Sequence, residues 1–410
     1  MRRTDDPKWN YWMLAATAAA LLAITNGGRL SLGLFVSPLN TSTGLGIATI
    51  SLVMAVAQLA WGVVQPVAGA VADRYGAGRA LAAGVICMAL GAALTPFASS
   101  GLTLSITVGV LLAGGAGASS LAVLLGAAVS RIPEQYRGMA SGAINAGGSF
   151  GQFVFAPLMQ TFIALIGWMG AMYALAAIVL LALPMARVLR TPAPSADAAV
   201  AAADAPVDRG MKAALKDAFA DRSYLLLHAG FFTCGFHIAF LVTHLPGEVG
   251  LCGLPPSVAS WSLGIIGLSN IAGSLYAGWC VQRYRSKYVL FWMYASRALL
   301  VAIYLMAPKT ELTFYLFAIG LGFTWLATVP PTAALVGKLH GSRYLATLFG
   351  LTIFTHQIGG FLGAWLGGLS LSAYGDFQWM WYADMVLALL AALANLPIRE
   401  RRVLPRVQPA

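Results

Sequence analysis

A chain of 410 residues that is 59% hydrophobic and only 10% charged departs far from the average soluble domain, where about 25% of residues carry charge. Its formal net charge of +11 would suit a nucleic-acid partner if the basic residues gathered on one surface, but they fall in short clusters between apolar runs. Composition thus excludes a soluble globular core, and the placement of charge excludes nucleic acid.

Apolar runs of about 20 residues recur along the chain, each long enough to cross a hydrocarbon layer of roughly 30 Å. The first follows Arg2, Arg3 and Lys8 and outlasts an ordinary signal-peptide core, so it is read as a span and not as a cleaved leader. The predicted spans of the first half are Tyr11 to Leu39, Ile47 to Ala72, Arg79 to Ala98, Leu102 to Val129, Gly138 to Leu165 and Trp168 to Ala186. Those of the second half are Tyr224 to Gly247, Ser257 to Trp279, Lys287 to Ala307, Leu312 to Gly337, Leu345 to Leu369 and Phe377 to Leu396. The fold class expected is an all-α membrane protein with twelve transmembrane helices in two pseudo-symmetric six-helix bundles, residues 1–186 and 223–410. Between them, 187–222 is rich in Ala, Pro, Asp and Lys. Its opening part reads as a disordered linker and its end as a short amphipathic helix. Cys87, Cys234, Cys252 and Cys280 show no paired spacing, so neither a zinc site nor a disulfide framework is implied, and no cofactor is expected.

Nearly all loop Lys and Arg fall on one side: Arg2, Arg3, Lys8, Arg74, Arg79, Arg131, Arg137, the linker cluster, Arg283, Arg285, Lys287, Lys338, Arg343 and the arginines from Arg399 onward. Lys309 falls on the other. This asymmetry places both termini and the linker in the cytoplasm of a bacterial cell, with the chain in the inner membrane. The halves also repeat at an offset of about 208 residues. Gly69-x-x-x-Asp73-Arg74-Tyr75 maps onto Gly278-x-x-x-Gln282-Arg283-Tyr284, Pro38 onto Pro246, and Arg137-x-x-Ala140-Ser141 onto Arg343-x-x-Ala346-Thr347.

The loop from Gly69 to Arg79, with Asp73, Arg74 and Gly76, resembles the signature between the second and third helices of the major facilitator superfamily. The resemblance implies a twelve-helix secondary transporter working as a monomer, with Gly69, Asp73, Arg74, Gly76 and Arg79 as a conformational latch on the cytoplasmic face. Arg137-Gly138-Met139-Ala140-Ser141-Gly142, Asn145 to Gly151, and Ala156-Pro157-Leu158 are similar to the fifth-helix pattern of the monocarboxylate and oxalate/formate porter branch. Gly28 to Phe35 in the first helix points the same way. In that branch a carboxylate-binding arginine is typically carried by the eighth helix, whereas Asn270 to Tyr276 here contains no basic residue.

A charge at bilayer depth costs about 2.5–3.5 kcal/mol on insertion scales, so each one needs a reason. Arg29 lies well inside the first helix with no acid in its own span, and a guanidinium there suits an anionic carboxylate gripped by two parallel bonds. The alternative is an arginine that snorkels or binds backbone carbonyls at a helix break. Arg297 and Asp384 lie at similar depth in the ninth and twelfth spans and are read as a structural ion pair. His237 occupies the repeat position of Arg29 and is expected to face the cavity from the other half. His237 and His356 are the candidates for proton coupling, since histidine alone changes charge near pH 6.5 without perturbation. Asn145, Ser149 and Gln152 form an i, i+4, i+7 stripe and, with Tyr276, Trp325, His356 and Gln357, complete the candidate substrate-binding set. No nucleophile and base at useful spacing suggest an enzyme. The leading expectation is a transporter of a small organic anion of monocarboxylate type, by alternating access, with the proton as candidate coupling ion. The alternative is an exporter of drugs or hydrophobic metabolites.

Overall fold

The computed structural model describes residues 7–129, 131–190, 211–341 and 344–400. Within hydrocarbon every backbone N–H and C=O must find a partner inside its own segment, which is why long apolar runs become helices. Among the described residues, nine helical segments are long and apolar enough to span a bilayer. One of them, Met139–Val188, is two rods joined at Gly167, whose φ of 73° is open to glycine at little steric cost. With the apolar helices Leu345–Tyr374 and Gln378–Asn395, the described residues form twelve rods.

In chain order these are α1 (Tyr11–Thr43), α2 (Ile47–Tyr75), α3 (Ala77–Leu94), α4 (Gly101–Ala128), α5 (134–166) and α6 (168–188). The second set is α7 (Arg222–Leu251), α8 (Pro256–Arg283), α9 (Ser286–Met306), α10 (Glu311–His340), α11 (Leu345–Tyr374) and α12 (Gln378–Asn395). The short helix expected at the end of the linker forms at Met211–Ala220; the rest of the expected linker disorder, at 191–210, lies outside the described residues.

Packing repeats between the halves. Helix α1 lies along α5 and α7 along α11, α2 pairs with α4 and α8 with α10, and α9 leans on α12. Without a hydrophobic drive between helices in lipid, such pairs depend on close van der Waals approach at small residues. On α5, Gly147 and Gly151 sit against the backbone of Ala19 and Ala23 of α1, where a Cβ would collide. Gly235 of α7 and Gly359 of α11 do the same service in the second half, facing the carbonyls of His356 and Phe232.

The two sets of six meet along α2 with α11 and α5 with α8. These contacts are concentrated in the half of the bundle remote from the termini. Gly33 of α1 abuts the Val242 carbonyl of α7, Ser51 of α2 abuts Gly368 of α11, and Gly62 abuts the Gln357 side chain. Continuing along α2 and α11 toward the termini, Gly69 and Gly350 have nothing within 4 Å of where a Cβ would lie. Gly142 of α5 and Gly278 of α8 are equally open.

Replacing Gly359 with leucine forces a side chain into the Phe232 backbone, a form of overpacking that typically costs 1–3 kcal/mol, roughly. Gly69→Ala adds a methyl group where nothing is displaced. Thermal unfolding in detergent should show a clear fall in Tm for Gly359→Leu and none for Gly69→Ala; equal losses would contradict the packing described here.

Candidate functional site

Regular α-helix in α1 ends at Leu30, and a tighter turn, Leu32–Phe35, follows before helix resumes at Val36. Ser31 turns its hydroxyl back to the Gly27 carbonyl at 2.8 Å. Arg29 thus sits at a local break, half-buried, and projects toward α2. Its Nη1 donates to Gln58 Oε1 at 3.2 Å and its Nη2 to Asn26 Oδ1 at 3.3 Å. The guanidinium carbon lies 4.4 Å from the Trp61 ring centre, a cation–π stack that covers one face of the charge. Arg29 Nε has no partner. A small pocket beside it, with room for about one water molecule, is lined by Leu32, Gly33, Met54, Ala57, Gln58, Val242 and Thr243. Both halves contribute to that wall. The side chains holding Arg29 are neutral, so its charge is solvated by dipoles and a π-face and not cancelled by a carboxylate.

A second polar cluster lies wholly in the second half. Helix α10 stops at Thr324 and restarts at Val329, with Pro330 and Pro331 in its first turn. Carbonyls ending a helix lack intrahelical partners and carry the negative end of its dipole. Arg297 of α9 answers them: Nη2 donates to the carbonyls of Thr324 and Trp325, Nε to Thr324 Oγ1 at 3.3 Å, and Nη1 to Cys234 Sγ at 3.3 Å. Asp384 of α12 is paired instead with His237, Nδ1 to Oδ2 at 2.5 Å, with both side chains almost wholly buried. The Arg297–Asp384 ion pair expected from depth does not form among the described residues. The free carbonyls of the α10 break take the guanidinium, and the carboxylate faces α7.

His237 is likewise corrected. It points into its own half, 1% exposed, and does not line the cavity beside Arg29. The offset of the repeat gave equal depth but not equal facing. Trp325, fully buried with Nε1 unpaired, packs near His237 with ring centres 6.0 Å apart. Tyr276 is 51% exposed and stacks on Trp279, and it too is no part of the cavity wall. His356 and Gln357 are buried and bonded to each other at 3.1 Å, with Gln357 turned toward Gly62 of α2.

The α5 stripe is split. Asn145 is half-buried, Gln152 is buried with Nε2 unpaired, and Ser149 accepts a bond from Asn270 Nδ2 of α8 at 2.8 Å. Asn270 Oδ1 in turn accepts from Leu326 N at 2.9 Å. One side chain therefore ties the first half to the α10 break. Of the latch residues, Arg74 and Arg79 are exposed and Gly76 caps α2 with φ 89°, while the Asp73 side chain lies outside the described residues.

Residues 13–364 and 252–409 match the Major Facilitator Superfamily. The chain belongs to that superfamily. Among curated relatives, monocarboxylate transporter 13 of Rattus norvegicus is 26% identical over 390 residues, covering 92% of this chain and 86% of the relative. An uncharacterized MFS-type transporter, YcxA of Bacillus subtilis, is 25% identical and covers 89% of each. A solved D-xylose-proton symporter superposes with a TM-score of 0.75 at 14% identity, over 96% of this chain and 98% of that one. The inward-open xylose transporter XylE from E. coli gives 0.71 at 13% identity, over 94% and 95%. These two likenesses establish the fold. As a facilitator the protein is a multi-pass membrane transporter and not an enzyme, and it resembles the monocarboxylate branch.

Asn26, Gln58 and Trp61 are not among the candidates named from the sequence. Helical spacing held part of the signal: Asn26 is one turn before Arg29, and Trp61 is one turn after Gln58. Asn270→Ala strips a partner from Leu326 N and from Ser149 Oγ together. Leaving a buried donor unmet costs about 1–3 kcal/mol, so Asn270→Ala should lower Tm well beyond Ser149→Ala. Equal Tm values for the two variants would mean the Leu326 bond contributes nothing.

Proposed function

We propose that this facilitator carries a small organic anion of monocarboxylate type by alternating access between its two six-helix halves. The observation that carries the reading is Arg29: a guanidinium held by neutral groups, with one N–H unpaired, beside a cavity walled by both halves. An anion brought into this cavity supplies the charge that the protein itself withholds, through a pair of charge-assisted bonds. The apolar wall of Leu32, Met54, Ala57 and Val242 favours a small aliphatic body behind the carboxylate. Two relatives named monocarboxylate transporter support the same class. The protein acts as a monomer in the bacterial inner membrane, with its termini in the cytoplasm because the loop Lys and Arg gather there.

Lysine keeps the positive charge of Arg29 but cannot reproduce the planar fork or lie flat on Trp61. In proteoliposomes offered labelled pyruvate, lactate and longer 2-oxo acids, Arg29→Lys should weaken half-saturation on the order of 10-fold or more, the equivalent of losing about 1.4 kcal/mol of binding. Wild-type half-saturation in that variant, or wild-type transport of organic cations alone, would remove the anion reading.

In this reading Gly69, Asp73, Arg74, Gly76 and Arg79 form the latch that engages when the cytoplasmic end is closed. Asp73→Asn should therefore slow exchange between the two states while leaving substrate affinity nearly unchanged. Normal turnover with much poorer binding would place Asp73 elsewhere in the cycle.

A further inference from the structure

Of the carboxylates among the described residues, Asp384 is the fully buried one, and its partner is a histidine and not an arginine. We propose that His237 and Asp384 together bind the proton that accompanies the transported anion, at a site separate from the cavity beside Arg29. This assignment rests on the anion reading given above, and it adds a place for the coupling ion that the substrate cavity does not offer.

An ionised carboxylate only accepts hydrogen bonds, so His237 Nδ1–H donates to Asp384 Oδ2 and the ring's lone pair stands on Nε2. Nε2 has no partner, and neither does Asp384 Oδ1. Both atoms are buried and each is open to one more bond, a combination that a purely structural pair would be expected to satisfy. A proton arriving at Nε2 converts neutral imidazole beside carboxylate into an imidazolium–carboxylate pair. No bond between heavy atoms changes, and the proton leaves by the reverse step.

The other charged or titratable groups around the pair are accounted for. On α7, Cys234 lies one turn before His237 and is held by Arg297 and Thr328. From α9, Arg297 is committed to the carbonyls of the α10 break, and Tyr294 faces Arg297 and Cys234. From α11, His356 faces Cys234 and is bonded to Gln357. Helix α10 brings Trp325 and Thr328, which carry no charge. Protonating the pair adds one positive charge to this buried cluster. A surplus charge in a low-dielectric core is costly, so the protonated form is favoured in whichever state admits water or the anion's field to this level. That differential is what coupling requires.

The wild type and the variants His237→Gln and Asp384→Asn are reconstituted in liposomes with a pH dye in the lumen and labelled pyruvate as probe. Two measurements are made: uptake against a gradient driven by external acid, and exchange between pyruvate-loaded vesicles and the medium. The expected result is pyruvate uptake with proton entry in the wild type. In both variants the accumulation ratio falls to one while exchange persists. If either variant accumulates pyruvate as the wild type does, or if wild-type pyruvate entry brings no proton, the dyad is overturned and the anion reading stands. Where Asp384→Asn fails to reach the membrane, His237→Gln decides alone, since its amide can still donate to Asp384. If the wild type carries no monocarboxylate, the anion reading fails instead. The dyad is then decided by a substrate-free signal: Trp325, 6.0 Å from His237, should lose fluorescence as the imidazole protonates, and Trp325→Phe and His237→Gln should each abolish that pH-dependent part. Absence of such a component in the wild type overturns the proposal.

Discussion

A charge inside a bilayer-spanning bundle must be answered where it stands, because no solvent arrives to do so. The protein carries three deep charges and answers each differently. Asp384 is met by a hydrogen-bonded imidazole, and Arg297 by the carbonyls that end a helix. Arg29 is met by two amide oxygens and the face of an indole. The Arg297 arrangement closes on itself, whereas the His237–Asp384 pair leaves Nε2 and Oδ1 without a partner. The third leaves a donor open beside a cavity, and that difference separates a residue that supports the fold from one placed to meet a ligand.

Packing follows from the same constraint. A broken helix is tolerable in hydrocarbon only where its freed backbone groups face other protein groups, and α10 breaks where Arg297 and Asn270 reach it. In the first half, α4 is interrupted at Ser119 and Ser120, close to the repeat-equivalent position, but no arginine stands there. Duplication has preserved the interruption and not the means of satisfying it. The two halves share a scaffold and divide the chemistry, with the half-buried Arg29 guanidinium in one and the buried His–Asp pair in the other.

The sequence made the spans, the repeat and the unusual deep residues legible, because hydropathy and the cost of buried charge act locally along the chain. Arg29, Arg297, Asp384 and His237 all stand out without any coordinates. Their partners do not, since pairing depends on which faces of distant helices meet. Arg297 and Asp384 lie at matching depth on helices that do pack together, yet the break in α10 competes for the guanidinium and α7 presents a histidine to the acid. Pro330 and Pro331 signalled the break. Nothing in spacing alone shows that freed carbonyls outcompete a carboxylate, and the equal depth of His237 and Arg29 gave no information on the angle at which each leaves its helix. Tyr276 was similarly misplaced, because α8 has almost no amphipathic asymmetry by which to tell its cavity side from its outer side.

Asn270 shows how the two polar clusters are joined physically. It donates to Ser149 across the interface between the halves and accepts from Leu326 in the α10 break. The same break supplies the carbonyls that hold Arg297, and Arg297 touches Cys234, one turn from His237. A rocking motion that parts α5 from α8 at this level removes the Ser149 contact, while the Leu326 contact, internal to the second half, can remain. Asn270 would then lose its bond across the interface in one state only. An interaction with that property contributes to the energy difference between states, whereas the Arg297 bonds, lying within a single half, are common to both and contribute little to it.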